Sequence, residues 1–170
     1  QINAFKKKFD VDSVLKKLKD NNIYVIGRIV CFKDPFLAVR KPELAVKRPG
    51  GQLWRENGVV PWVNPYNEET WKYNIDIAKE AVEKGFDEIQ FDYVRFPTPI
   101  YKSDIKYNTD VPKTDAINGF LKLADKELFE GLGVKVSADV FGIICESAGD
   151  TEDIGQNIET IGMDIDYISP

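Results

Sequence analysis

The stretch Gly85-Phe86-Asp87-Glu88-Ile89-Gln90-Phe91-Asp92-Tyr93-Val94-Arg95-Phe96-Pro97 decides the fold. Gly85 is placed to stop a helix, and Phe86 with Asp87 makes a short turn. Residues 88–94 then read as a strand rich in aromatic and aliphatic side chains, and Pro97 ends it because proline cannot donate to a sheet ladder. Strand alternation sends Ile89, Phe91 and Tyr93 to one face and Gln90, Asp92 and Val94 to the other. The first set suits packing beneath helices. The second brings a carboxylate near the C-terminal end of the strand, where α/β barrels keep their catalytic groups. Arg95 follows three residues on, and an Asp92–Arg95 ion pair that only braces the loop is the alternative.

Upstream, Asn67 is placed to cap a helix with Glu68 and Glu69 in its first turn. Trp71, Ile75, Ala78 and Val82 recur at helical spacing up to Gly85. Residues 59–65 read as a short strand ending in Asn64 and Pro65. Residues 23–32 form a longer apolar strand broken only by Gly27 and Arg28, as expected of a parallel strand. Asp12 is placed to cap a helix over 12–20 before it. Arg28 shares parity with Ile26, Val30 and Phe32. It is either a cation lining a barrel interior, in need of a carboxylate, or a structural plug low in the strand.

Downstream, residues 98–113 form a long polar loop, of a length usually kept for function. Thr114 begins a helix with the stripe Ile117, Phe120, Leu121, Ala124 and Leu128, ended by Gly131 and Gly133. The next strand, 134–142, turns Val134, Val136, Ala138 and Val140 toward helices and Ser137 and Asp139 the other way. Two successive strands thus carry an aspartate to a similar height on one face; the alternative for Asp139 is a brace to a neighbouring loop. A helix over about 152–161 and a strand over 166–170 complete the pattern.

Composition narrows the chemistry. With 170 residues, 43% hydrophobic and 30% charged, the chain suffices for one well-buried domain. A net charge of −5 without a basic stripe argues against nucleic acid as a partner. No apolar run reaches membrane-spanning length. The absence of histidine removes Ser-His-Asp and Cys-His catalysis and histidine metal sites from this segment. Cys31 and Cys145 have no metal-ligand spacing and read as free thiols, a disulfide between them being the alternative. Gly50-Gly51 lacks a following Lys-Ser/Thr, and no Gly-x-Gly-x-x-Gly follows a strand, so no cofactor is expected. Trp54 and Trp62 flank one loop. Either alone reads as a core residue, but together they make one exposed sugar-stacking platform the expectation.

Five strand-like segments alternating with helices, without hairpin turns, imply an α/β fold with a parallel sheet and right-handed crossovers. The units, roughly 30 to 45 residues each, suit a (β/α)8 TIM barrel with elaborated loops. A whole barrel takes eight strands and about 250 residues. Residues 1–170 are therefore read as a single domain, the central part of one barrel from about strand two to strand six, without the first strand and the last two.

The core Phe91-Asp92-Tyr93-Val94-Arg95-Phe96-Pro97, with Lys33-Asp34-Pro35, Trp62-Val63-Asn64-Pro65, Ser137-Ala138-Asp139-Val140-Phe141-Gly142 and Asp166-Tyr167-Ile168-Ser169-Pro170, resembles a bacterial family named as a putative glycosyl hydrolase domain of unknown function. The resemblance implies a barrel distantly similar to the α-amylase-like glycosidases, a carbohydrate substrate, and a bacterial extracytoplasmic or cell-surface setting. It also implies Asp92 as nucleophile and Asp139 as acid/base, with Glu146 in the following loop as the alternative acid. Arg28, Trp54, Trp62, Asn64, Tyr93 and Arg95 are the expected substrate-binding residues. Two rivals stand beside this: a carbohydrate-binding barrel without catalysis, and a barrel using Asp92, Asp139 and Asp34 for a divalent metal.

Overall fold

The computed structural model describes residues 9–170. Helix α1, Val11–Asp20, is capped by Asp10, whose carboxylate accepts the Ser13 N–H at 3.0 Å, with Asp12 inside the first turn. Strand β1 is Ile26–Val30 and helix α2 is Pro35–Arg40. Two short strands follow, β2, Arg55–Glu56, and β3, Val60–Pro61. Helix α3, Glu68–Lys84, starts at its Asn67 cap and stops at Gly85, whose φ of +103° supplies the left-handed end. Strand β4 is Glu88–Asp92, helix α4 is Lys113–Asp125 and strand β5 is Lys135–Asp139. Helix α5, Ile158–Ile161, and strand β6, Tyr167–Ser169, end the chain.

The main sheet is parallel, in the order β1-β4-β5-β6. This corrects the expected sequence of five sheet strands. The 59–65 segment is not inserted between β1 and β4; β3 pairs antiparallel with β2 in a hairpin off the sheet. The hairpin turns at Asn57 and Gly58, both at positive φ, 51° and 73°. Asn-Gly is a strong turn signal, and it folds Val60–Pro61 back onto Arg55–Glu56 in place of a sheet strand over 59–65. The Val63 N–H reaches back toward the sheet, donating to the Phe32 carbonyl at 3.0 Å.

Helix α5 is likewise shorter than the 152–161 expected. The Asp150 carboxylate takes the backbone N–H groups of Ile154 and Gly155 at 2.9 and 2.7 Å, so this stretch folds as a loop. Gly155 has φ +82°, and a Cβ there would fall 2.7 Å from Ile117 and 2.9 Å from the Lys113 carbonyl.

The core lies on the helix side of the sheet. Ile29, Ile89, Phe91, Val136 and Ala138 are buried there, and Phe120 of α4 meets Phe91 and Phe32 edge-on at 5.1 and 5.3 Å. Phe32, expected to share the uncovered face with Val30, is buried instead, because alternation lapses beyond the end of β1 at Val30. Both cysteines are free, Cys31 buried and Cys145 exposed.

On the opposite face the register stacks polar rows. Arg28 pairs with Gln90, Gln90 with Ser137, and Ser137 with Tyr167. One step nearer the C-terminal edge, Val30 pairs with Asp92 and Asp139 with Ser169. Asp92 and Asp139 themselves lie one step beyond the paired Phe91 and Ala138, so they stand at one level. Below them Glu88 is buried, accepting from the Ser137 hydroxyl at 2.6 Å and the Tyr24 hydroxyl at 3.0 Å. Burial, then the Glu88 contact, pushes the Tyr24 phenol up to about 12.

Candidate active site

At the C-terminal edge of the sheet a cavity of about 370 Å³ opens, lined by Arg28, Asp92, Tyr93, Arg95, Asp139 and Gln156 among others. Arg28 is the hub. Its Nη2 lies 2.7 Å from Asp92 Oδ2 and its Nε 3.0 Å from Asp139 Oδ2, so one planar guanidinium bridges both carboxylates. Arg28 therefore stands at the rim and is not a plug; its side chain is exposed. The Asp139 hydrogen bond first, and the Asp92 charge second, raise the guanidinium further above its ordinary value. The second Asp92 oxygen, Oδ1, accepts the Tyr93 N–H at 2.7 Å.

Tyr93 departs from the alternation predicted for it. The strand ends at Asp92 and Tyr93 takes φ +51°, which turns it away from the helix side and onto the cavity wall. Left-handed backbone on an aromatic residue is strained, and such residues concentrate at functional sites. Its ring lies edge-on to Trp62 at 5.7 Å, with Lys33 Nζ 4.8 Å above it.

The Asp92–Arg95 ion pair is not formed, because Arg28 occupies the outer oxygen of Asp92. Arg95 is buried and stacks instead, with Phe141 at 4.5 Å, Trp62 at 4.9 Å and Tyr93 at 5.6 Å. Its Nη1 donates to the Phe96 carbonyl at 2.8 Å. Burial pulls its guanidinium down from the usual arginine range.

The tryptophan platform is corrected: both Trp62 and Trp54 are buried. Backbone bonds from Val46 to Trp62 and from Trp54 to Val46, at 2.9 Å each, hold this segment inside the molecule, and Tyr93, Lys33 and Arg95 crowd the Trp62 indole. Asn64 lies elsewhere. It folds the approach to α3 by accepting the Tyr66 N–H at 3.1 Å, and lines a separate cavity of about 280 Å³ with Lys47 and Tyr107. Glu146 is exposed after a 3-10 turn, Gly142–Cys145, and does not line the large cavity. Asp34 caps α2 through the N–H groups of Phe36 and Leu37 and is likewise outside it. The Asp92–Asp139–Asp34 metal set is therefore not assembled, and no metal-ligand group of three His, Cys, Asp or Glu exists among the described residues.

One residue escaped sequence reasoning. Gln156 is buried and donates to the Val94 and Asp139 carbonyls at 3.2 and 3.4 Å while accepting the Phe141 N–H at 3.1 Å. It ties the loop after β4 to the loop after β5. Its only sequence signal was a glutamine following Gly155, which carries no chemistry by itself.

Residues 1–170 match the model of the family described as "Putative glycosyl hydrolase domain". The chain belongs to this family. A hypothetical protein from Ruminiclostridium thermocellum ATCC 27405 shares 56% identity over 84% of this chain and 72% of its own, with a TM-score of 0.75. Fold likeness extends to a maltogenic α-amylase from Thermotoga neapolitana, at 19% identity and TM-score 0.54, covering 76% of this chain and 28% of the amylase. It extends also to the trehalose-6-phosphate hydrolase of Bacillus licheniformis, at 14% identity and TM-score 0.56, covering 79% and 32%. This member of the family thus has an α/β architecture with a parallel sheet shared with TIM-barrel glycosidases, and spans about a third or less of those two enzymes. No curated protein matches it. No helix among the described residues is long and apolar enough to cross a membrane.

Proposed function

We propose that the domain is a glycoside hydrolase working through Asp92 and Asp139 at the mouth of a (β/α)8 barrel. The observation that carries this reading is the single Arg28 guanidinium resting on both carboxylates, at the C-terminal ends of adjacent parallel strands and over one open cavity. Cleavage of a glycosidic bond needs one carboxylate facing the anomeric carbon and one carboxyl at the leaving oxygen. The barrel reading also supplies a covering for Ile26, Val30 and Tyr167, which stand exposed on the same sheet face.

The two aspartates are held differently, and the difference supports a division of labour. Both Asp92 oxygens are engaged, one by Arg28 and one by the Tyr93 N–H, which fixes the carboxylate as a nucleophile must be fixed. Asp139 has only Oδ2 engaged; its Oδ1 has no hydrogen-bond partner among the described residues. A guanidinium has donors and no acceptor, so a proton on Asp139 belongs on Oδ1. With one oxygen left for substrate, Asp139 takes the acid/base role in this reading, giving a proton to the departing oxygen and later taking one from water.

The test is turnover of a glycan panel by the full-length protein and its variants. Asp92→Asn should fail on good and poor leaving groups alike. Asp139→Asn should still glycosylate quickly from an activated aryl glycoside, showing a burst, and azide should restore its turnover as the glycosyl azide. If Glu146→Gln gives the burst and the rescue while Asp139→Asn behaves as the parent, Glu146 is the acid. Full activity in Asp92→Asn would sink the reading.

A further inference from the structure

Resting on that reading of the cavity, we infer that Arg95 is an anion-recognising residue and that the sugar bound beside Asp92 and Asp139 carries an acidic group. Four features carry it. Arg95 is only 7% exposed yet lines the cavity. None of the ion pairs among the described residues includes it, whereas Arg28 is answered by both aspartates. Glu56, the carboxylate whose charge bears most on Arg95, is itself engaged by Lys33 at 2.6 Å. Arg95 is thus the cation of this site without a counterion in contact.

The geometry of its donors says where that counterion goes. Phe141 and Trp62 lie 4.5 and 4.9 Å from the guanidinium carbon and hold the group in place. Among the described residues, Nη1 alone of the guanidinium nitrogens has a protein acceptor, the Phe96 carbonyl. Nε and Nη2 have none among the described residues, yet neither is among the buried atoms cut off from solvent. They are reached by way of the cavity Arg95 lines. A fork of N–H donors held by rings suits a carboxylate or a phosphate, both of which accept such a fork in two parallel bonds. A neutral hydroxyl would leave the buried charge unanswered.

The shared chemistry is an oxyanion on the sugar, either a uronic-acid carboxylate or a phosphate ester. Binding to the full-length protein should be measured for glucuronate against glucose, galacturonate against galactose, and the 6-phosphates of both hexoses. In at least one pair the acid should bind about ten- to a hundredfold tighter than its neutral partner, the range for a charge-assisted pair. The pair that responds identifies carboxylate or phosphate. Arg95→Met should erase the preference, and Arg95→Lys, which keeps the charge but not the fork, should lose most of it. Equal binding of acid and neutral sugar in every pair, or a preference surviving in Arg95→Met, overturns the inference. Should the variants not fold, the Arg95 Nε–H resonance of the parent decides: it must shift on titration with the preferred acid, and a stationary resonance overturns the assignment. Asp92-dependent turnover of neutral glycans with no acid preference would end the inference and leave the hydrolase reading standing. An Arg95-dependent acid preference with turnover indifferent to Asp92→Asn would do the reverse.

Discussion

The two faces of the parallel sheet are made by alternate residues of the same strands, and they have opposite characters. Toward the helices stand Ile29, Ile89, Phe91, Val136 and Ala138, all buried, with Phe120 edge-on to Phe91. On the other face Ile26, Val30 and Tyr167 are exposed among Arg28, Gln90, Asp92, Ser137 and Asp139. The period of two along each strand thus separates cohesion from chemistry. Asp92 is adjacent to Phe91 in sequence, yet one serves the cavity and the other the core.

If that separation is real, the largest effect should fall on activity alone. Asp92→Asn should lower turnover by about 10²- to 10⁴-fold or more. Its unfolding free energy should change by no more than about 1 kcal/mol, because Arg28 keeps Asp139 as a partner. A large loss of stability in this variant would make the pair structural and break the comparison. The mirror experiment is Phe91→Ala, which should cost about 3–5 kcal/mol in denaturant unfolding, as expected for a fully buried aromatic. Val30→Ala tests the proposed barrel. Val30 is 45% exposed among the described residues, so in the full-length protein, with the face covered, the substitution should cost more than about 1 kcal/mol. A smaller cost would mean that the face stays open.

A smaller effect should appear where the faces meet. Gln156→Ala leaves the Phe141 N–H and the Val94 and Asp139 carbonyls without their partner. It should lower stability by about 1–3 kcal/mol and turnover with it, although it removes no charge. Unchanged turnover would show that the two loops keep their places without it.

The smallest effect belongs to the opposite end of the sheet. Asp87 is held below its ordinary value of 3.8, first by the Lys19 hydrogen bond and also by the Val25 N–H at 2.8 Å. Because the folded value is depressed, this contribution is fully present above the unfolded value and is lost as pH falls through the lower folded one. Asp87→Asn should therefore cost about 1 kcal/mol or less at neutral pH and flatten the stability profile below about pH 4. A profile unchanged from the parent would mean that the pair contributes nothing measurable.

Much of this architecture was legible from local rules. Asn67 and Gly85 bound α3 because a cap and a left-handed stop are local geometries. Residues 88–92 and 135–139 formed strands with the expected faces, since alternation is a property of the strand itself. The errors share a cause. Reading 59–65 as a sheet strand weighed β-propensity above the Asn57-Gly58 turn. Reading 152–161 as a helix missed that the Asp150 side chain captures two backbone donors. Tyr93 and Phe32 were assigned faces by extending alternation past the ends of β4 and β1.

The sequence by itself determined the family, the alternation of helix and parallel strand, and the common face of Asp92 and Asp139. Each depends on identities and periods within a few residues. Only the tertiary structure decided which cation meets which carboxylate: Arg28, at a separation of 64 and 111 residues from its partners, and not Arg95, three residues away. It also decided that Trp54 and Trp62 are buried and that Gln156 joins two rim loops. Those outcomes are set by sheet register and by which loops fold over the strand ends. Pairings of that kind are made between distant segments and leave no local pattern in the chain.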